Sequence, residues 1–252
     1  MFLDEEIVFN RPDVTSGRYN FCSVVRVPLV AAPFRVRLLS LSFLFSVRKS
    51  GKKIEDLGRS CEAKKMKQKI LQIIDECLEV KKKSKLLVDV IEKITREIIK
   101  CYRNDRKVVI FGNGGSASDA QHIVTELVSR FEKERKSLSA ISLTTNTSTL
   151  TAIANDYSFD KIFSRQVEST VIKGDIVIAI STSGNSKNVI EGAKQSKKQG
   201  AIVVGFTGSN GGKLKSVCDI ILEVPSNVTA RIQEVHITVG HIICKLVEDE
   251  IF

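Results

Sequence analysis

Tryptophan is absent from the 252 residues, and tyrosine occurs only three times. A chain this poor in large aromatics has few rings on which nucleic-acid bases could stack. It shows neither an aromatic-interleaved basic stripe nor a recognition-helix pattern. The six cysteines stand at 22, 61, 77, 101, 218 and 244. With no C-x-x-C and no close pair, they exclude a disulfide framework and a cysteine-built zinc cluster, and they fit a reducing, cytoplasmic setting. Long apolar runs are missing too. The stretch from Val24 to Val47 is broken by Arg26, Arg35 and Arg37, and its longest uncharged piece, Leu38 to Val47, falls well short of the roughly 20 residues a spanning helix needs. Asp4, Glu5 and Glu6 stand where a secretory signal would be basic. No internal repeat or low-complexity tract is present.

What is plentiful is charge, with 39 Lys+Arg against 29 Asp+Glu for a formal net charge of +10. The excess is divided between two unlike segments. Residues 1–65 hold half of it, together with three of the four prolines and six of the twelve phenylalanines. Arginine outnumbers lysine there, whereas lysine dominates afterwards. Met66 stands at this change and opens an amphipathic pattern, Met66-Lys-Gln-Lys-Ile-Leu-Gln-Ile-Ile. Residues 1–65 therefore read as an over-long translation start or a dispensable extension, and 66–252 as one globular domain. Half of the basic excess lies in that extension, so the remainder reads as a solvated surface.

From Met66 onward, helical periodicity covers about 67–82 and 85–103. Five β-branched runs follow, at 107–111, 138–143, 175–180, 201–206 and 219–224, separated by helical segments. This alternation predicts an α/β fold, a five-stranded parallel sheet covered by helices on both faces. A final helix is expected over about 229–249, after Pro225.

Open parallel sheets bind ligands at the carboxyl ends of their strands. After Phe111 comes Gly112-Asn113-Gly114-Gly115-Ser116, small enough for backbone N–H groups to approach a ligand, with a helix N-terminus behind it. It lacks the spacing of the dinucleotide G-x-G-x-x-G pattern, and alone it is equally a tight strand-to-helix connection. After Ile180 comes Ser181-Thr182-Ser183-Gly184-Asn185-Ser186. Four hydroxyls and several free amides at a helix N-terminus suit a phosphate monoester; a helix cap would require only one such residue.

The three histidines fall in two segments. His122 and Glu126 share a helical face at i, i+4, either to hold a metal or a proton or as a surface pair contributing a few tenths of a kcal/mol. Gln233 and His241 lie about 12 Å apart along the last helix, so one metal could be shared only from between them or across a subunit contact. His236 reads as a packed or capped histidine and is assigned no role.

Together, Gly112–Ser116, Asp119-Ala-Gln-His122 with Glu126, Ala154-Asn-Asp156, Ser181–Ser186 and Ala230-Arg-Ile-Gln-Glu-Val-His236 leading to His241 resemble the sugar isomerase (SIS) family over almost all of 66–252. Within it they resemble the phosphoheptose isomerases, which convert sedoheptulose 7-phosphate to D-glycero-D-manno-heptose 7-phosphate. The resemblance implies a flavodoxin- or Rossmann-like three-layer sandwich. It implies substrate contacts from Asn113, Gly114, Gly115, Ser116, Glu126, Asn155, Asp156, Ser181, Thr182, Ser183, Ser186 and Gln233, and one zinc per subunit on His122, Glu126, Gln233 and His241. It further implies proton transfer by Glu126 and His241 and a cytoplasmic homotetramer serving lipopolysaccharide or capsule heptose synthesis, with no nucleic-acid or membrane partner. Some members carry an acid where Ala230 stands. The rival resemblance is to a non-catalytic SIS-type tetramer that binds the bacterial replication initiator; Ser183 and His241 favour the enzyme. An aminosugar-phosphate isomerase domain is disfavoured because such domains come as paired repeats.

Overall fold

The computed structural model describes residues 54–252, with side chains from Ala63 onward. Expectations concerning 1–53 lie outside the described residues. The chain divides after Lys67 into two units, and the second, Gln68–Phe252, contains the sheet and the candidate site.

Helix α1 (Ile54–Lys83) begins well before the expected start near 67 and runs through Met66. A 3-10 turn at Ser84–Leu87 separates it from α2 (Val88–Arg103). There follow β1 (Val108–Gly112), α3 (Gly115–Val128), β2 (Ala140–Ser142), α4 (Thr147–Asp156), α5 (Ile162–Thr170), β3 (Ile176–Ile180), α6 (Lys187–Lys198), β4 (Ile202–Thr207), β5 (Ile220–Glu223) and α7 (Thr229–Ile251). All five expected strands form, and every pairing is parallel, in the order β2-β1-β3-β4-β5. The helical segment expected between the runs at 138–143 and 175–180 forms as two helices, α4 and α5. Among the described residues, no helix is long and apolar enough to cross a membrane.

The strands Val-Val-Ile-Phe-Gly and Ile-Val-Ile-Ala-Ile are buried along their whole length because helices cover both faces. Alternate residues serve opposite cores. Val108, Ile110, Ile176, Ile178 and Ile180 pack with α2, α3 and α7. Val109, Phe111, Val177 and Ala179 pack with α5 and α6. On α7, Ile232, Val235, Val239, Ile243 and Val247 form the buried stripe, each contributing about 1.5–3 kcal/mol relative to exposure.

Two buried polar groups on α7 are held by hydrogen bonds. His236 is fully buried, with Nε2 3.2 Å from the Thr207 carbonyl and its ring against Phe206. Burial pushes its pKa down to about 4, the hydrogen bond to Thr207 opposing only in part. Glu248 is also fully buried. Burial pushes its pKa up, but the backbone N–H groups of Lys133, Glu132 and Phe131, with the Arg135 guanidinium, hold it at about 2.

Both groups make the fold acid-sensitive, in different windows. An unfolded histidine binds its proton below about pH 6.5 and folded His236 only below about 4, so stability falls as pH drops through that interval. The Glu248 contribution is complete above about pH 4.5 and is lost as pH falls towards 2. Each is on the order of 3 kcal/mol when fully expressed. Calorimetric Tm should therefore fall from pH 7 to 4, and His236→Gln, which retains a side-chain donor, should flatten that interval. A wild-type curve level over this range would contradict the assignment.

Candidate active site

The strand order reverses between β1 and β3. These strands run side by side in register, Gly112 opposite Ile180, while α3 packs with one core and α6 with the other. The glycine turn and the serine turn therefore leave adjacent strand ends and diverge, which opens a crevice at a topological switch point.

At the glycine turn, Gly114 adopts φ +54° and ψ −122°, a combination that favours glycine, and no side chain caps α3. Ser116 is buried. A Cβ on Gly115 would collide with the Gln233 amide, so α7 brings that side chain directly against this turn. The Asn113 and Asn188 amides pair reciprocally, at 2.9 and 2.8 Å, and so link the two turns. Sequence reasoning missed Asn188; its position just after the serine turn was the available signal.

In the serine turn, Ser186 is the N-cap of α6, yet its side chain makes no capping bond. Instead the Ser181 hydroxyl donates to Ser186 Oγ at 3.1 Å. The Ser183 hydroxyl accepts from the Asn185 N–H at 3.2 Å, and Gly184 turns at φ +64° where a side chain would strike the backbone of Gly211. A helix start without a side-chain cap retains the N–H groups and positive dipole end that bind an anion. Beside it, Thr182, Ser183, Ser209, Asn210, Ser226 and Asn227 line a polar cavity of about 150 Å³. Asn155 and Asp156 end α4, exposed and hydrogen-bonded to each other at 3.0 Å; neither bonds to the two turns.

The histidines converge from α3 and α7. His122 Nε2 lies 3.2 Å from Glu126 Oε1 and 3.3 Å from His241 Nε2, with the imidazole rings edge to face. Ligand atoms of all three residues fall within 4.8 Å of one another. Tetrahedral zinc with bonds of about 2.0–2.1 Å separates its ligand atoms by about 3.3 Å, so the spacings of His122 to Glu126 and to His241 fit the ion. Gln233, two helical turns before His241, reaches the neighbouring glycine turn. One turn before His122, Asp119 holds a buried Oδ2 with no hydrogen-bond partner among the described residues, and burial raises its pKa to about 6 against the opposing influence of His122. The cluster is open to solvent in the single chain, His122 being 47% exposed. A groove of about 590 Å³ between α2 and α7 lies away from it.

A model of the SIS domain matches residues 72–208. The chain belongs to the SIS domain family. Within that family its likeness is to phosphoheptose isomerases. It is 50% identical over 185 residues to the phosphoheptose isomerase of Aquifex aeolicus, covering 73% of this chain and 97% of that one. It is 51% identical over 166 residues to that of Aneurinibacillus thermoaerophilus, covering 66% and 84%. The structure of a phosphoheptose isomerase from Neisseria gonorrhoeae superposes with a TM-score of 0.70 at 39% identity, covering 73% of this chain and 99% of the other. These matches lend no support to the initiator-binding alternative.

The Asn113–Asn188 pair gives this SIS site a measurable dependence. Asn188→Ala leaves the Asn113 amide without its partner, so it should destabilise the chain by about 1–3 kcal/mol in thermal unfolding and weaken sugar-phosphate binding at both turns. Unchanged stability and binding would show that the two turns hold their places independently.

Proposed function

We propose that this chain is an aldose–ketose isomerase that converts sedoheptulose 7-phosphate to D-glycero-D-manno-heptose 7-phosphate. The observation that carries the reading is the convergence of His122, Glu126 and His241 beside two turns suited to an anionic sugar, in a chain about half identical to phosphoheptose isomerases.

In this reading the serine turn binds the phosphate through Ser181, Thr182, Ser183 and Ser186. Neutral hydroxyls and the start of α6 supply the donors without a bulky cation. Asn113, Gly114, Gly115, Ser116, Asn155, Asp156 and Gln233 hold the sugar chain. The reaction moves a proton between C1 and C2 through an enediolate, which calls for a base at that edge and its conjugate acid to return the proton. Glu126 and His241 are those groups. Zinc held by His122, Glu126, Gln233 and His241 would supply Lewis-acid polarisation of the sugar oxygen. A carboxylate bound to a cation is a weaker base, so the metal-holding and proton-transfer roles of Glu126 would compete.

The domain spans 66–252, with 1–65 as an addition to it, and works as a cytoplasmic enzyme of lipopolysaccharide or capsule heptose synthesis. It assembles as a homotetramer with each site closed by another copy. Two observations support this assembly. The histidine cluster is open in the single chain, and Ile70, Leu71, Ile73, Ile74 and Leu78 on α1 remain 44–61% exposed, an apolar face of the kind that marks an interface.

His241→Asn should lower zinc occupancy and reduce kcat by about two to four orders of magnitude. Glu126→Gln should abolish most turnover while substrate still binds. Ser183→Ala should weaken substrate binding by about 1–3 kcal/mol. Near wild-type isomerisation in the first two variants would remove those residues from the mechanism. Sedimentation equilibrium at micromolar concentration should show a tetramer, and a monomer would contradict the assembly.

A further inference from the structure

Glu248 is buried near the end of α7, and its carboxylate gathers four donors from a different part of the chain. Oε1 accepts the Phe131 N–H at 3.1 Å and Arg135 Nε at 2.8 Å; Oε2 accepts the N–H groups of Glu132 and Lys133, each at 2.8 Å. The Arg135 side chain is 2% exposed. Its other donors reach the end of α3. Nη2 donates to the Glu126 carbonyl at 2.8 Å, and Nη1 donates to the Leu127 carbonyl at 2.9 Å and the Lys136 carbonyl at 3.1 Å.

The last carbonyls of a helix lack intrahelical partners, and they are commonly satisfied by a left-handed glycine. No glycine follows α3. Its C-cap, Ser129, has φ −78° and ψ −96°, and a guanidinium caps the helix instead, a cation placed at the negative end of the dipole.

Both ends of this network are site residues. Arg135 holds the main chain of Glu126. Glu248 follows His241 by seven residues, two turns along the same face of α7. Between them, the Phe131 ring lies 5.7 Å from the His241 ring. For stability alone, a buried ion pair is often matched by apolar residues of similar volume. What an apolar pair could not do is hold the Glu126 carbonyl by a hydrogen bond, whereas the guanidinium fork binds that carbonyl and the Glu248 carboxylate of α7 at once.

We propose that Glu248 and Arg135 are positioning residues for the isomerase site, setting the approach of Glu126 to His241 by tying the end of α3 to α7 across the 129–137 loop. They act through Glu126, Phe131 and His241 rather than on the sugar. The inference rests on the isomerase reading given above.

The test uses full-length Glu248→Gln, Arg135→Lys and Phe131→Leu. Folding is checked by circular dichroism, zinc affinity is measured by chelator competition, and kcat and KM are measured well below each variant's Tm. Glu248→Gln and Arg135→Lys should weaken zinc binding and lower the kcat of the zinc-saturated enzyme by about 10–100-fold, the range found when a group supporting a metal ligand is lost. KM should change little, because the helix that the serine turn opens, α6, packs into the other core. Phe131→Leu should shift both quantities in the same direction by less. Wild-type zinc affinity and kcat in the folded variants, with only Tm lowered, would overturn the proposal. If Glu248→Gln does not fold, Arg135→Lys, which retains the charge but not the fork, decides by the same readouts. Absence of isomerisation in zinc-loaded wild type would sink the isomerase reading instead, while the zinc affinities would still judge the positioning role.

Discussion

The register of β1 against β3 is the constraint from which the site follows. Gly112 stands opposite Ile180, so two strand-to-helix turns leave the sheet at the same height. The helices behind them pack into opposite cores. Neither turn can then close over the other, and the N–H groups at the starts of α3 and α6 remain available. A slip of one residue between these strands would exchange their core faces, leaving Val109 and Phe111 among the partners of Ile110. The continuous burial of both strands makes that slip costly and fixes the crevice.

The second requirement is the packing of α3 on α7. Gly240 lets α7 approach Ile123 so closely that a Cβ there would collide with the isoleucine side chain. Ile123 and Val239 belong to the same buried core. That close approach lets His122 and Glu126, from one helix, meet His241, from the other. The buried carboxylate and guanidinium at the far end then hold the two helices in this relation. Apolar burial brings the helices together, and directional hydrogen bonds fix their positions along each other.

Much of this was legible in the sequence. The β-branched runs gave the strands because a strand buried on both faces has a continuous apolar composition. The density of hydroxyls at 181–186 suggested an anion site, and α6 starts there without a side-chain cap. His122 and Glu126 by themselves were an ordinary i, i+4 pair, and only tertiary packing sets His241 beside them. A helical segment was expected between the second and third runs, but not its bounds or its division in two, because α4, Thr147–Asp156, has no buried stripe and α5 is only nine residues long. The Arg135–Glu248 and Asn113–Asn188 pairs, 113 and 75 residues apart in the chain, leave no periodic trace that local reading can find.

The central claim is that one crevice, with a phosphate-binding serine turn, a sugar-binding glycine turn and a histidine–carboxylate cluster, interconverts a ketose and an aldose phosphate. The most direct measurement incubates the purified chain with sedoheptulose 7-phosphate in deuterated water, metal-stripped and zinc-restored, and follows the sugar by NMR. The account predicts zinc-dependent appearance of D-glycero-D-manno-heptose 7-phosphate, with solvent deuterium entering at C2 as the enediolate is reprotonated. Recovery of unchanged ketose from the zinc-restored protein would contradict it.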